Sequence, residues 1–285
     1  AKAQGKGRVA VFDDKLRAAA QERLILKVEL PEALRQGQFA MVYQPIIGVN
    51  DQALHGFEAL LRWYHPARGE ISPEQFIPVA EESGIIVEIG RWVLAQACRQ
   101  AADWNRNAPA PIAISVSVSA VQLKHPGFLD DLHQVLDASG LSPRLLTLEL
   151  TESVLIEHQR IEELLRRLRH LGVGVAIDDF GTGYSSLSYL QRFPVTSVKV
   201  DRAFISELSR NGDQGVVRSI LALAEALALT TVAEGVETKE QLRALDALDC
   251  GLAQGFYLGR PLTAEEISGD RETWLAKAAE LSAPL

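Results

Sequence analysis

The stretch VGVAIDDFGTGYSSLSYLQRFPVTSVKVD, residues 173–201, decides the fold. A short apolar run ends in two adjacent acids, Asp178 and Asp179. A Gly-rich turn and a short helical segment, Ser186 to Gln191, follow, and a second apolar run ends in Lys199 and Asp201. Strand, helix and strand succeed one another, with the charged residues placed where each strand stops, which is the rhythm of βα units in a mostly parallel sheet.

Reading outward, the same rhythm recurs along most of the chain. Further strands are expected at Ile112–Val118, Leu145–Leu150, Thr230–Ala233 and Leu252–Tyr257, beside Val173–Ile177 and Ser197–Val200. The intervening patterns predict helices at Pro73–Ser83, Ile85–Asn105, Pro126–Ser139, His158–Leu171, Asp213–Ala228 and Thr238–Leu248. At the start, Phe39–Ile47 and Leu54–Leu61 flank the polar turn Gly48-Val49-Asn50-Asp51 and read as a hairpin, so the first strand runs antiparallel to the rest. Eight strands over this length predict a modified (β/α)8 TIM-type barrel, an α/β fold with an antiparallel first strand. An open doubly wound sheet is the alternative, and no GxGxxG follows a first strand to support it.

Composition bounds the function. The 285 residues are 47% hydrophobic and 23% charged, which is globular, and the net charge of −8 disfavours a partner that is a nucleic-acid polymer or an anionic membrane. Apolar stretches such as Ser219–Leu229 stop far short of the roughly 20 residues a bilayer helix needs. Cys98 and Cys250 stand apart without CxxC spacing and read as buried free thiols. None of the six histidines falls at HxH or HExxH spacing.

In a barrel of this kind chemistry sits at the C-terminal strand ends. Those ends carry Glu58, Glu149, Glu152, Asp178, Asp179, Asp201, Glu234 and Glu237, with Lys199 and Gln254 among them. Carboxylates so collected raise one another's pKa and need cations. Oxygen donors without His or Cys favour Mg²⁺ or Mn²⁺, and two such ions can clamp a phosphodiester and activate water. Each acid alone has an ordinary reading: a helix N-cap for Glu152, Glu237 or the Asp178-Asp179 pair, an ion pair for Lys199 and Asp201. Arg62 and Trp63 fit core packing, although a guanidinium at Arg62 also suits a phosphate.

At these residues the sequence resembles the EAL family of cyclic di-GMP phosphodiesterases, over about Leu30 to Leu262. The matching motifs are QPI at Gln44, EALLRW at Glu58, FIPVAEESG at Phe76, ELTES at Glu149, DDFGTGYSSLSYL at Asp178, KVD at Lys199, AEGVE at Glu234 and QGF at Gln254. The resemblance implies hydrolysis of cyclic di-GMP to linear pGpG with two Mg²⁺ or Mn²⁺ ions. It makes Glu58, Glu149, Asp178, Asp179 and Glu234 metal ligands, with Asp179 bridging. Lys199 would orient the attacking water, Gln254 would hold the water or a ligand side chain, and Glu152 would steady the loop after Asp179. Gln44, Leu60 and Arg62 would meet the nucleotide, with Glu237 and Pro261 on its other side. The DDFGTGYSSL segment implies a homodimer.

One position departs from the family pattern. Where the family has VNxSAxQL, this chain has VSVSAVQL, so Ser117 stands at the position of a metal-ligating Asn. Two readings follow: an enzyme that binds its ions more weakly at Ser117, or a receptor that binds cyclic di-GMP uncut. The opening GKGRVAVFD resembles the end of a GGDEF domain, which implies a tandem parent with residues 1–25 as its tail and linker helix and residues 26–285 as the EAL barrel. The ligand implied is cytoplasmic, hence a cytoplasmic domain, whatever membrane anchor its parent carries.

Overall fold

The computed structural model describes residues 14–106, 108–156, 158–181, 190, 192–208 and 214–269. They form two compact units. One gathers the residues up to Ala40 with Arg62–Ile86, the other Met41–Leu61 with the chain from Val87 onward.

The smaller unit is built on helices α1 (Asp14–Arg35) and α2 (Pro73–Ser83). Its core is aromatic. Trp63 is fully buried with its ring 5.7 Å from Phe39 and 5.5 Å from Phe76, and its Nε1 donates to Gln38 Oε1 at 2.9 Å. Burying this indole is tolerable because its one polar atom is satisfied. Helix α1 runs without a break through residue 25 and buries Leu26, Leu30 and Ala33.

The larger unit is the barrel. Its strands are β1 (Phe39–Gly48), β2 (Leu54–His65), β4 (Ala113–Ser117), β5 (Leu146–Thr151), β6 (Gly174–Phe180), β7 (Ser197–Val200), β8 (Thr230–Ala233) and β9 (Leu252–Ala253), while β3 (Gly69–Ile71) belongs to the smaller unit, paired with Trp63, Tyr64 and His65 of β2. Sheet order is β1-β9-β8-β7-β6-β5-β4-β2-β3, and pairing of β1 with β2 closes the ring. From β2 through β4 to β9 the neighbours are parallel, whereas β1 is antiparallel to β9. The expected barrel with an antiparallel first strand is therefore present.

Alternation explains how the strands bury both faces. Leu146, Leu148 and Leu150 are wholly buried on the outer face of β5, which leaves Thr147, Glu149 and Thr151 to the inside. The covering helices show the complementary spacing. Phe128, Leu129, Leu132, Val135 and Leu136 are the buried positions of α5 (Phe128–Ser139), following α3 (Ile86–Asn105) and α4 (Ala120–Lys124). Next come α6 (His158–Leu171), α7 (Arg202–Glu207), α8 (Gly215–Ala226) with Val217, Ile220, Leu221 and Ala224 buried, α9 (Lys239–Asp246) and α10 (Ala264–Gly269).

Several boundaries differ from the sequence expectation, each for a local reason. Strand β6 continues to Phe180 through a register irregularity after Ile177, with Asp179 at φ +54°. The helix expected at Pro126–Ser139 begins only at Phe128, because Pro126 and Gly127 form a turn in which Phe128 N bonds back to His125 O at 3.1 Å. Strand β9 stops at Ala253 instead of Tyr257: beyond it the backbone nitrogens of Leu258 and Gly259 both bond back to Gly255 O, a turn no strand can make. The helix expected at Ser186–Gln191 lies outside the described residues.

Gly255 permits that turn. A Cβ there would lie 2.2 Å from both the backbone nitrogen and the oxygen of Val236. Gly255→Ala is expected to destabilise the barrel by about 1–3 kcal/mol, measured as a lower urea midpoint, since backbone rather than a side chain would have to move.

Candidate functional site at the C-terminal strand ends

Lys199 organises the mouth of the barrel. It lies on β7 with 2% of its side chain exposed, and its Nζ is 2.7 Å from Glu149 Oε2, 2.7 Å from Glu234 Oε1, 3.2 Å from Asp178 Oδ1 and 3.5 Å from Glu58 Oε2. Four strands converge on it: Glu58 comes from β2, Glu149 from β5, Asp178 from β6 and Glu234 from the end of β8. Burial works against the ammonium, yet the carboxylates of Glu149, Glu58, Glu234 and Asp178 hold its pKa well above the ordinary lysine value.

The pKa values of three acids are raised as well. Burial raises Glu149 well above the usual carboxylate range, Glu58 and Asp178 add to that, and Lys199 opposes it. Glu234 is pushed up to about 7, by burial first, with Lys199 opposing and Asp178 and Glu58 adding. Asp179 is raised by burial, then by Asp178 and Asp201. One lysine does not neutralise this many carboxyls, so the cluster holds protons or awaits further cations.

A second set of contacts fixes the far side. Gln254 sends its Nε2 to Glu58 and, at 3.1 Å, to Gln44 Oε1, while Gln44 Nε2 donates to Gly259 O at 3.1 Å. Backbone bonds lock the last two strand ends: Gln254 N reaches Ala233 O at 2.8 Å, and Val236 N reaches Gln254 O at 3.0 Å. Asp178, Asp179 and Glu234 can each present one oxygen such that all three lie within 4.8 Å of one another. An all-oxygen set of that spacing fits a hard divalent cation.

Ser117 closes β4, exposed, in register with Glu149. Leu60 follows Glu58 by two positions on β2 and so shares its face. Arg62 belongs to the smaller unit, where its Nε is 3.3 Å from Glu70 Oε1. Glu152 opens a short 3-10 turn, Glu152–Ile156, and its Oε2 is buried without a hydrogen-bond partner among the described residues. The loop it was expected to steady lies outside them. Glu237 is exposed beyond β8, and Pro261 precedes the bridge of Leu262 to Tyr43. Asp201 accepts from Ala203 N at 2.8 Å and caps α7, which is the ordinary reading of an acid after a strand.

Sequence reading overlooked Gln241. It is buried, and its Oε1 accepts from Glu237 N at 2.7 Å and Thr238 N at 3.0 Å while its Nε2 donates to Ile205 O. The loop that follows Glu234 is thus tied to α9. The signal was available as the TxxQ capping box at Thr238.

The raised Glu234 yields a testable consequence. A carboxyl that keeps its proton to higher pH when folded adds stability as pH falls, gained between about 7 and the ordinary value of 4.5. The ion-free protein is expected to melt at a higher temperature at pH 5.5 than at pH 8. Glu234→Gln should flatten that difference, and saturating Mg²⁺ should remove it by stabilising the ionised form; an equal slope in all three samples would contradict the assignment.

Comparison with known proteins agrees with this geometry. Residues 27–261 match the EAL domain family. The chain is 45% identical over 269 residues to the bifunctional diguanylate cyclase/cyclic di-GMP phosphodiesterase MucR of Pseudomonas aeruginosa, covering 94% of this chain and 39% of MucR. It is 40% identical to the cyclic di-GMP phosphodiesterase NbdA of the same organism, covering 92% of this chain and 34% of NbdA. The chain thus spans between a third and two fifths of these relatives. Among solved structures, the MucR phosphodiesterase in complex with c-di-GMP superposes with a TM-score of 0.81 at 45% identity, covering 85% of this chain and 99% of that one. The FimX EAL domain from P. aeruginosa bound to c-di-GMP gives 0.75 at 25% identity, covering 83% and 96%. By its motifs, its barrel and its matched length, this chain belongs to the EAL domain family.

Proposed function

We propose that this chain hydrolyses cyclic di-GMP to linear pGpG with the aid of two divalent ions, Mg²⁺ or Mn²⁺. The observation that carries the reading is the ring of Glu58, Glu149, Asp178 and Glu234 around the buried Lys199. Buried acids with raised pKa values, supplied only by oxygen donors, suit hard cations at neutral pH. Glu58, Glu149, Asp178, Asp179 and Glu234 would hold them, with Ser117 contributing weakly or through water. Bound there, the ions would offset the phosphodiester's charge and lower the pKa of the attacking water.

The chain's own groups supply position. Lys199 holds Glu149 and Glu234 in place and keeps one fixed positive charge under the scissile group, where it orients the water. Gln254 anchors the Glu58 carboxylate, and Gln44 anchors Gln254 in turn. Gln44, Leu60 and Arg62 would contact one side of the dinucleotide, and Glu237 and Pro261 the other. Glu152 would steady the loop after Asp179.

Ser117 tunes the reaction. A neutral hydroxyl is a shorter and weaker donor to Mg²⁺ than an amide oxygen, so the ions should be held less tightly than with Asn there. The receptor alternative is disfavoured because the acids of the cluster are all retained. The names of the relatives also support a second, cyclase-type domain beside this one in a longer parent, with residues 1–25 as the connection, and we read the functional unit as a homodimer at the cytoplasmic side of any membrane. No helix among the described residues is long and apolar enough to cross a bilayer.

Chromatography of pGpG after incubation with cyclic di-GMP tests the proposal. The wild type is expected to form pGpG with Mg²⁺ or Mn²⁺, and Glu149→Gln or Asp178→Ala should cut turnover by about 10³-fold or more. Normal turnover in either variant would refute the ligand assignment. Ser117→Asn should lower the Mg²⁺ concentration for half-maximal rate by roughly three- to tenfold, the worth of one improved polar contact to a charged group.

A further inference from the structure

The barrel interior below the carboxylates is hollow. Inward positions there are Gly56, Ala113, Ser115, Gly174, Ala176 and Ser197, and they leave a cavity of about 730 Å³. Barrels of this architecture ordinarily fill that space with layers of branched side chains. Lys199 and Glu149 bound the cavity on the side of the site described above; at the other end it reaches the N-terminal ends of the strands, where Arg144, Arg169, His170 and His55 line it.

The chemistry of that end is basic. Arg144 precedes β5 and Arg169 lies in the last turn of α6, both exposed, and neither has a carboxylate partner among the described residues. Gly172 brings them together. Its nitrogen donates to Arg169 O at 3.0 Å, and at φ +95° a Cβ on it would lie 3.4 Å from Arg144 Cγ, so the arginine stem passes over the glycine. His55 is paired with Asp51 at 3.1 Å, and His170 Nδ1 contacts Arg166 O at 2.7 Å, so the two guanidiniums are the groups of this set without a partner among the described residues.

The walls supply neutral polar groups, the hydroxyls of Ser115, Thr147, Ser197 and Thr230. Among the described residues Glu149 is the one carboxylate in the lining, and Lys199 holds it at 2.7 Å. A space of this size lined by hydroxyls as well as apolar groups is not a purely apolar void, and two arginines at its entrance without a carboxylate partner among the described residues select for anions over a molecule of net charge −8.

We propose that this cavity is a second ligand site, taking a small phosphate-bearing anion through the N-terminal face of the barrel. Arg144 and Arg169 fork onto the charged group, and the hydroxyl-lined space accepts the remainder. The site lies at the opposite end of the strands from the carboxylates that serve the proposed hydrolysis, and it stands whether or not that hydrolysis occurs.

Inorganic pyrophosphate is the probe, titrated calorimetrically into the 285-residue chain after passage over a chelating resin. Without ions the upper mouth is acidic and repels a polyanion, so heat reports binding elsewhere. One saturable site is expected. Arg144→Ala with Arg169→Ala should weaken it by at least about tenfold, the loss of charge-assisted hydrogen bonds. Thr147→Leu, which fills the cavity and leaves the entrance charges alone, should weaken it comparably, with a melting curve to verify the fold. Asp178→Ala should bind as the wild type does. Absence of binding to wild type overturns the proposal, as does binding that the arginine pair does not affect. If a folded Thr147→Leu binds normally, the arginines act only as surface charge and the cavity is not the site.

Discussion

The ammonium of Lys199, held inside the barrel by Glu58, Glu149, Asp178 and Glu234, is the constraint on which the rest of the molecule depends. Removing one charge from water costs several kcal/mol even after relaxation, so neither the lysine nor any single acid is tolerable there alone. The lysine offsets part of the mutual repulsion of the acids, and the acids offset its desolvation. That balance requires side chains from β2, β5, β6, β7 and β8 to converge on one point. A parallel ring delivers them, because every such strand ends on the same side.

The balance is incomplete by design of the charges. Four ionised carboxylates against one ammonium leave three negative charges in a poorly hydrated space. Glu149 and Glu234 respond by holding protons more tightly than exposed glutamates. A divalent ion held by these carboxylates would take the place of those protons and supply the same electrostatic compensation with two charges in one place. Stability of the ion-free fold and affinity for ions would then be coupled through the same carboxyl groups.

Much of this was legible in the sequence because strand ends announce themselves as apolar runs closed by acids. The hairpin of β1 and β2 came from the polar turn between two apolar runs, and the strand-end pattern offered Glu58, Glu149, Asp178, Asp179, Lys199, Glu234 and Gln254 together with Glu152, Asp201 and Glu237, a set that only the family resemblance divided into roles. Geometry that depends on closure did not. Lys199 and Asp201 read equally well as an ion pair, whereas ring closure turns Lys199 to four other acids and leaves Asp201 to cap α7. The run from Leu252 to Tyr257 reads as one strand, and only the approach of Val236 to Gly255 explains why it turns after Ala253. Strand β3 is three residues long and exists through its pairing with Trp63, Tyr64 and His65, so no periodicity could reveal it.

The small residues beneath the carboxylate layer follow from the same constraint. Gly56 cannot carry a side chain because its Cβ would lie 2.5 Å from Ala113 O, and a Cβ on Gly174 would lie 2.7 Å from Thr147 Oγ1. Close approach of β2 to β4 and of β5 to β6 brings Glu58, Glu149 and Asp178 within reach of one lysine. Bulky inward side chains at those levels would push the strands apart and lengthen the contacts above them. The hollow lower barrel is thus the structural counterpart of a tightly drawn upper one, and the hydroxyls that line it let water or a polar guest occupy the space at little cost.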